Sequence, residues 1–353
     1  MKRLLAITIL LLGAALPAHA DVPPVTRAID GFIRPAYGHF HQSTVTLEAD
    51  IDDLCAEPSS ANLAAARTDF VDTIQFWSEV EPIRFGPVTE KNRLERILFW
   101  PDRKSIGLKQ VQAALAAKDP TATDPATLAG KSVAMQGLGA LEFVLFGTGA
   151  EELETAKGEF RCSYANAIAA NLQVMASDIS AAWNAPDGIA KQFANPAADN
   201  PLYRTETEAV TELFNVLVHG LELVRDVRIN GFLGDDAKAD RPKQAIFWRS
   251  DATILSISGN LNGLEKLFDA ADFSPSLSAD MAWIPGSIDF EFRNAENALK
   301  ELTGPVADIL ADDAKRQKLA YAKLVTSSLS ELFAVRLSAA LGLSAGFSSL
   351  DGD

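Results

Sequence analysis

Apolar residues recur at spacings of three and four through most of the chain, and no run alternates apolar and polar residues long enough to make a convincing strand. Leu63, Ala66, Phe70, Ile74 and Trp77 show the pattern most clearly, as one apolar stripe on a helix over 63–80. Ser60 or Asn62 is expected to cap it. The same period predicts helices over 25–54, 106–117, 162–183, 206–230, 252–270, 288–302 and 311–341, with a break near Pro35 and Gly38 in the first. A short amphipathic piece covers 92–100. A further helix is expected to open at Pro125 and run to Phe146, closed by Gly147-Thr148-Gly149 in the manner of a glycine C-cap. The fold class read from these periods is all-α. The 353 residues exceed one helical core, so two bundles are expected.

Residues 184–201 carry three prolines and a glycine, the strongest break in the later half of the chain. This divides the protein into a leader (1–20), a first bundle (21–185), a linker (186–203) and a second bundle (204–353). Lys2 and Arg3, the apolar run Leu4 to Leu16 and the small-x-small site Ala18-His19-Ala20 read as an export signal cleaved before Asp21. The expected location is the periplasm. No later stretch is long and apolar enough for a membrane helix. A net charge of −15 argues against nucleic acid as a partner. In an oxidising compartment the two cysteines, Cys55 and Cys162, suggest one disulfide across a loop of more than a hundred residues, contributing roughly 4–5 kcal/mol in the chain-entropy model.

The stretch Lys131 to Gly147, KSVAMQGLGALEFVLFG, is the most apolar part of the chain after the leader, and Glu142 is its central charge. A buried carboxylate needs a partner, a proton or a ligand. Gly137 and Gly139 cost a helix roughly 1 kcal/mol each relative to alanine, so something should compensate, such as a close helix approach or room for a ligand. Arg96 is a candidate partner for Glu142 or for a ligand carboxylate, and Trp100 a candidate stacking surface. Arg93, Arg103 and Lys104 add to this basic segment. A faint repeat pairs Phe99-Trp100 and Leu138–Glu142 with Phe247-Trp248 and Leu261–Glu265, which would make Glu142 and Glu265 equivalent. After the leader the histidines are His39, His41 and His219, and no HExxH, GxSxG or phosphate-loop motif is present.

The leader, Arg96-Ile97-Leu98-Phe99-Trp100-Pro101-Asp102, the stretch Gln136 to Gly147 and the ending Gly346 to Asp353 together resemble the imelysin family over essentially the whole mature chain. The resemblance implies two four-helix bundles related by duplication, an envelope location and a link to iron uptake. It implies iron, haem or an iron-uptake envelope protein as the bound partner. The family motif Gly-x-His-x-x-Glu reads Gly137-Leu138-Gly139-Ala140-Leu141-Glu142 here, so Gly139 stands where the histidine belongs. The family was first classed with metallopeptidases, and the missing histidine removes the His–Glu pair such chemistry would use. The expectation is a non-catalytic binding protein with Glu142 as metal ligand or ion-pair partner of Arg96, and Gly137, Gly139, Arg96 and Trp100 around the ligand. The alternatives are an imelysin-type metallopeptidase and a ligand-free envelope scaffold.

Overall fold

The computed structural model describes residues 22–102 and 104–343. The leader over 1–20, Arg103 and the ending over 346–353 lie outside the described residues, which contain helices and no β-strand.

Helix α1 begins as Pro24–Ala28, passes through a π-helical turn at Ile29–Ile33 and continues as Arg34–Ala56. The break expected at Pro35 and Gly38 does not occur. A proline lacks an N–H and crowds the preceding turn; the wider π turn immediately before it takes up that crowding. Helix α2, Ser60–Val80, is capped by Ser59 rather than by Ser60 or Asn62, with the Asn62 N–H donating to the Ser59 hydroxyl at 3.2 Å. Its predicted stripe is buried throughout. There follow α3 (Arg93–Ile97), α4 (Ile106–Ala117), α5 (Leu138–Phe146) and α6 (Glu159–Asn184). In the later half are α7 (Glu206–Glu222, prolonged by a π turn at Leu223–Ile229), α8 (Thr253–Ala271), α9 (Ile284–Leu299) and α10 (Asp313–Glu331).

Helix α1 packs along both α2 and α6, with α5 against α2 and α6; α7 to α10 form a second bundle. The bundles meet where α2 lies against α8. Gly259 and Gly263 permit that approach: a Cβ on Gly263 would overlap the Glu79 carbonyl, and one on Gly259 would stand 2.7 Å from the Ser78 Cβ. Residues 184–201 include a short helix, Ile189–Ala194, whose Phe193 is buried against Phe85 and Tyr203 at ring separations of 5.1 and 4.8 Å. Cys55 and Cys162 form a disulfide that ties the end of α1 to the start of α6 across 107 positions.

The helix expected from Pro125 to Phe146 is three pieces: Pro125–Leu128, a 3-10 turn at Val133–Met135, and α5. Gly137 divides the last two. Its φ of +84° is open to glycine, and a Cβ there would run into the Arg96 and Ile97 carbonyl oxygens. Nor does a glycine close α5, since Gly147 is extended at φ −77°, ψ 176°. Two arginines cap the helix instead. Arg67 donates to the Leu145 carbonyl at 2.9 Å, and Arg161 to those of Val144 at 2.9 Å and Thr148 at 2.7 Å. Cations at a helix C-terminus suit its dipole as well as its unpaired carbonyls.

Candidate functional site

Helix α5 is held at its start by side chains that leave it little freedom. Gln136, buried, accepts from the Arg96 Nε at 3.0 Å and donates to the Leu128 and Lys131 carbonyls at 3.1 and 3.2 Å. Tyr164 on α6 donates to the Met135 carbonyl at 2.6 Å. Glu142 therefore projects from a fixed helix, and it is 4% exposed.

Its partners come from the other bundle. The turn just before α8 brings Arg249 and Ser250 onto it. Glu142 Oε1 accepts from the Arg249 N–H at 3.0 Å, the Ser250 N–H at 3.1 Å and the Ser250 hydroxyl at 3.0 Å. Two successive backbone N–H groups converging on one oxygen form a small anion-receiving nest. The turn that presents them is strained, with positive φ at both Phe247 (+52°) and Asp251 (+57°). For a bulky residue such as Phe247 that conformation is an outlier, and such strain gathers at functional places. Glu142 Oε2 has a looser contact, the Arg249 Nη1 at 3.8 Å. Burial pushes the Glu142 carboxyl above its ordinary range, opposed by the Ser250 N–H, the Arg249 charge, the Ser250 hydroxyl and the Arg249 N–H.

Glu142 and Arg249 line a narrow cleft of about 70 Å³ with Gly139, Trp100, Phe143 and Phe247. Both bundles contribute to its wall. Gly139 opens onto it: no atom lies within 4 Å of where its Cβ would stand, so the position that the family pattern gives to histidine is unfilled space. Of the residues singled out from sequence, Glu142, Gly139 and Trp100 meet in this cleft. Gly137 stands just behind, shaping the backbone. Arg96 does not pair with Glu142; it is spent on Gln136, which also lines the cleft. Arg249 takes the place expected for it, and sequence reading missed both it and Ser250, although they follow directly on the noted Phe247-Trp248.

The predicted counterpart Glu265 is elsewhere, on α8 among Asp269, Glu296 and Asp289; burial and then these acids raise its pKa. His39 and His41 both lie on α1: the His39 ring is tilted against Phe76, and a nitrogen of His41 is 3.3 Å from the Gln173 amide. Near His39 stands Asp69, whose carboxyl is pushed up to about 6 by burial, by the Asp50 charge and hydrogen bond, and by Asp72. His219 Nε2 is buried without a hydrogen-bond partner among the described residues.

A metal would find few donors at the cleft. Among the described residues no three His, Cys, Asp or Glu side chains are grouped to hold an ion; of the two acids lining the cleft, Asp102 accepts from the Ile106 and Leu108 N–H groups at 2.7 and 3.2 Å, and Glu142 stands beside a guanidinium. A metal held at Glu142 would bring its remaining ligands with it.

The family model described as Imelysin, peptidase family M75, matches residues 33–332. Two solved structures are similar in fold. An imelysin-like protein from Psychrobacter arcticum is 19% identical, with a TM-score of 0.74 over 93% of this chain and 99% of that one. A protein from Parabacteroides distasonis, provisionally described as an iron-regulated protein A precursor, is 14% identical, with a TM-score of 0.61 over 91% and 97%. No curated protein sequence matches at a significant level.

Proposed function

The chain belongs to the imelysin family, and on that premise we propose that it is an exported, non-catalytic binding protein of iron acquisition that takes iron in chelated form at the cleft between its bundles. The observation that carries this reading is the division of labour at Glu142. One oxygen is saturated by three donors, which fixes the carboxylate, and the other faces a cavity walled by both bundles. Such an oxygen can accept from, or ligate, a molecule that brings its own remaining ligands. The adjacent Arg249 favours a ligand with negative groups over a bare cation. A cavity of about 70 Å³ has room for a small polar group with a water or two, which favours the protruding part of a chelate over a whole haem. The iron link is supported by the description of the Parabacteroides neighbour. Export is supported by the leader and by the Cys55–Cys162 disulfide, a bond characteristic of oxidising compartments.

The test is iron content and retention on protein beginning at Asp21, loaded with ferric iron as its citrate complex, beside Glu142→Gln. Stoichiometric iron that falls about tenfold or more in the variant is expected. Equal iron in both proteins, or none in either, overturns the reading.

A further inference from the structure

Arg249 has a second side. Its guanidinium lies 4.4 Å over the Trp248 ring and 5.5 Å from that of Phe143, so two aromatic faces hold it in place. The side chain is one-fifth exposed. Yet none of its N–H donors makes a hydrogen bond among the described residues. Its one ionic contact is the 3.8 Å approach to Glu142, beyond hydrogen-bond length. A guanidinium held between two rings, with no acceptor from the protein among the described residues, keeps its five donors for solvent or for a ligand.

The donors are not confined to the Glu142 cleft. Arg249 also lines an outer cavity of about 400 Å³ together with Trp248. Lys243 enters the same cavity, with its ammonium 5.7 Å from the Trp248 ring centre and no hydrogen bond among the described residues. Two cations thus stand against one indole, and an anion in the cavity they both line would be attracted by each. Asp251 is the acid of this lining, which leaves one net positive charge. Phe146, Pro242, Pro305 and Val306 supply apolar walls.

We propose that this outer cavity binds a small organic monocarboxylate, its carboxylate on the forked guanidinium of Arg249 with Lys243 as the second cation, and its apolar body against Phe146, Pro242 and Pro305. A planar carboxylate matches the guanidinium fork in two parallel hydrogen bonds. A single negative charge balances the lining, and the apolar walls select a ligand with a hydrocarbon or aromatic body over a mineral anion. This site goes beyond the chelate reading of the cleft, needs no iron, and is lined by Arg249 without Glu142.

The experiment is calorimetric titration of the protein from Asp21 onward with benzoate, and with neutral benzamide, in low-salt buffer stripped of metal on a resin. Benzoate should bind at least about tenfold more tightly than benzamide. Arg249→Met should weaken benzoate about tenfold or more. Arg249→Lys keeps the charge and the stack but loses the fork, and should fall between. Lys243→Met should weaken it about threefold. Glu142→Gln removes the negative charge 3.8 Å from the guanidinium, so it should keep or tighten benzoate binding while iron binding at the cleft is lost, and the two readings fail distinguishably. Benzamide binding as well as benzoate, or benzoate binding indifferent to Arg249→Met in protein that still folds by circular dichroism, would overturn the proposal, as would no benzoate binding at all.

Discussion

Two glutamate–arginine pairs cross from the first bundle to the second, and they are built in opposite ways. Glu81, just past α2, contacts Arg228 directly, with both side chains almost wholly buried. Its other oxygen accepts from Asn260 at 3.0 Å, and Asn260 also donates to the Ser78 carbonyl at 2.7 Å. Ser78 and Ser256 hydrogen-bond beside them at 2.9 Å. Both Glu81 oxygens are consumed; Arg228 Nε and Nη1 are buried without a hydrogen-bond partner among the described residues, but neither Glu81 nor Arg228 lines the cleft or the outer cavity. Glu142 and Arg249 stand 3.8 Å apart, and the arginine lines both the cleft and the outer cavity. Burying a charged pair is expensive in both places. In the first it secures a seam between bundles. In the second it leaves an oxygen and a guanidinium ready for something else. Burial of an acid therefore does not mark a site by itself; burial with unused hydrogen-bonding capacity beside a cavity does.

The comparison is most severely tested by breaking the tight pair. Arg228→Met leaves Glu81 buried without its cation and should destabilise by roughly 3–5 kcal/mol, read in chemical denaturation, whereas Glu81→Met with Arg228→Met together should recover most of the loss. If the single change is silent, the seam is not what holds the bundles in register. Gly137→Ala comes next. It forces a side chain into a glycine-only conformation against the Arg96 and Ile97 carbonyls, and should lower stability by at least about 2 kcal/mol while also impairing the ligand cleft.

The loose pair should respond mildly in stability. Glu142→Gln should change the unfolding free energy by no more than about 1 kcal/mol at neutral pH, since an amide oxygen can take the same three donors. Its pH signature is more telling. The folded-state pKa of Glu142 is raised, so its contribution is full below the ordinary carboxylate range and is lost as pH rises through the raised value. Wild type should fall relative to Glu142→Gln over that rise, and parallel pH–stability profiles would contradict the assignment. Asp69 offers the same test with a defined window: its contribution should fade between about pH 4 and about pH 6, and Asp69→Asn should flatten that segment. The smallest expected effect on stability is at Gly139→His, which gains a few tenths of a kcal/mol in helix propensity and points into open space. That variant should acquire zinc binding through a His–Glu pair one turn apart, measurable by competition with a zinc dye.

The fold was legible because helical periodicity is local: the stripe of α2 and the span of α4 are both visible in a dozen residues. What failed was punctuation. Pro35 did not break α1 because a π turn absorbed it, and α5 was not closed by glycine because two arginines from α2 and α6 cap it, a long-range event with no local trace. The site divides along the same line. Glu142 stood out as a lone acid in an apolar run. Glu81 did not, since it lies at the Pro82 break with a second acid, Glu79, two residues before it, yet it is the more buried of the two. Arg249 and Ser250 lie in an aperiodic turn more than a hundred residues from Glu142, and only the folded chain makes them neighbours. The sequence reading assigned Glu142 to Arg96 because Arg96 belongs to a basic segment around Trp100, a cluster visible along the chain, whereas Arg249 is brought near only by folding.

The disulfide has a consequence for the connectivity of the whole molecule. Cys55 and Cys162 turn the segment between them into a covalent ring that contains α2, α3, α4 and α5. The hydrogen bonds that fix Glu142 from the first bundle, apart from those of Tyr164, arise within that ring. A single protease cut anywhere in it frees no fragment: the N-terminal arm, the opened loop and the entire second bundle stay one molecule on a non-reducing gel, and separate only when thiol is added.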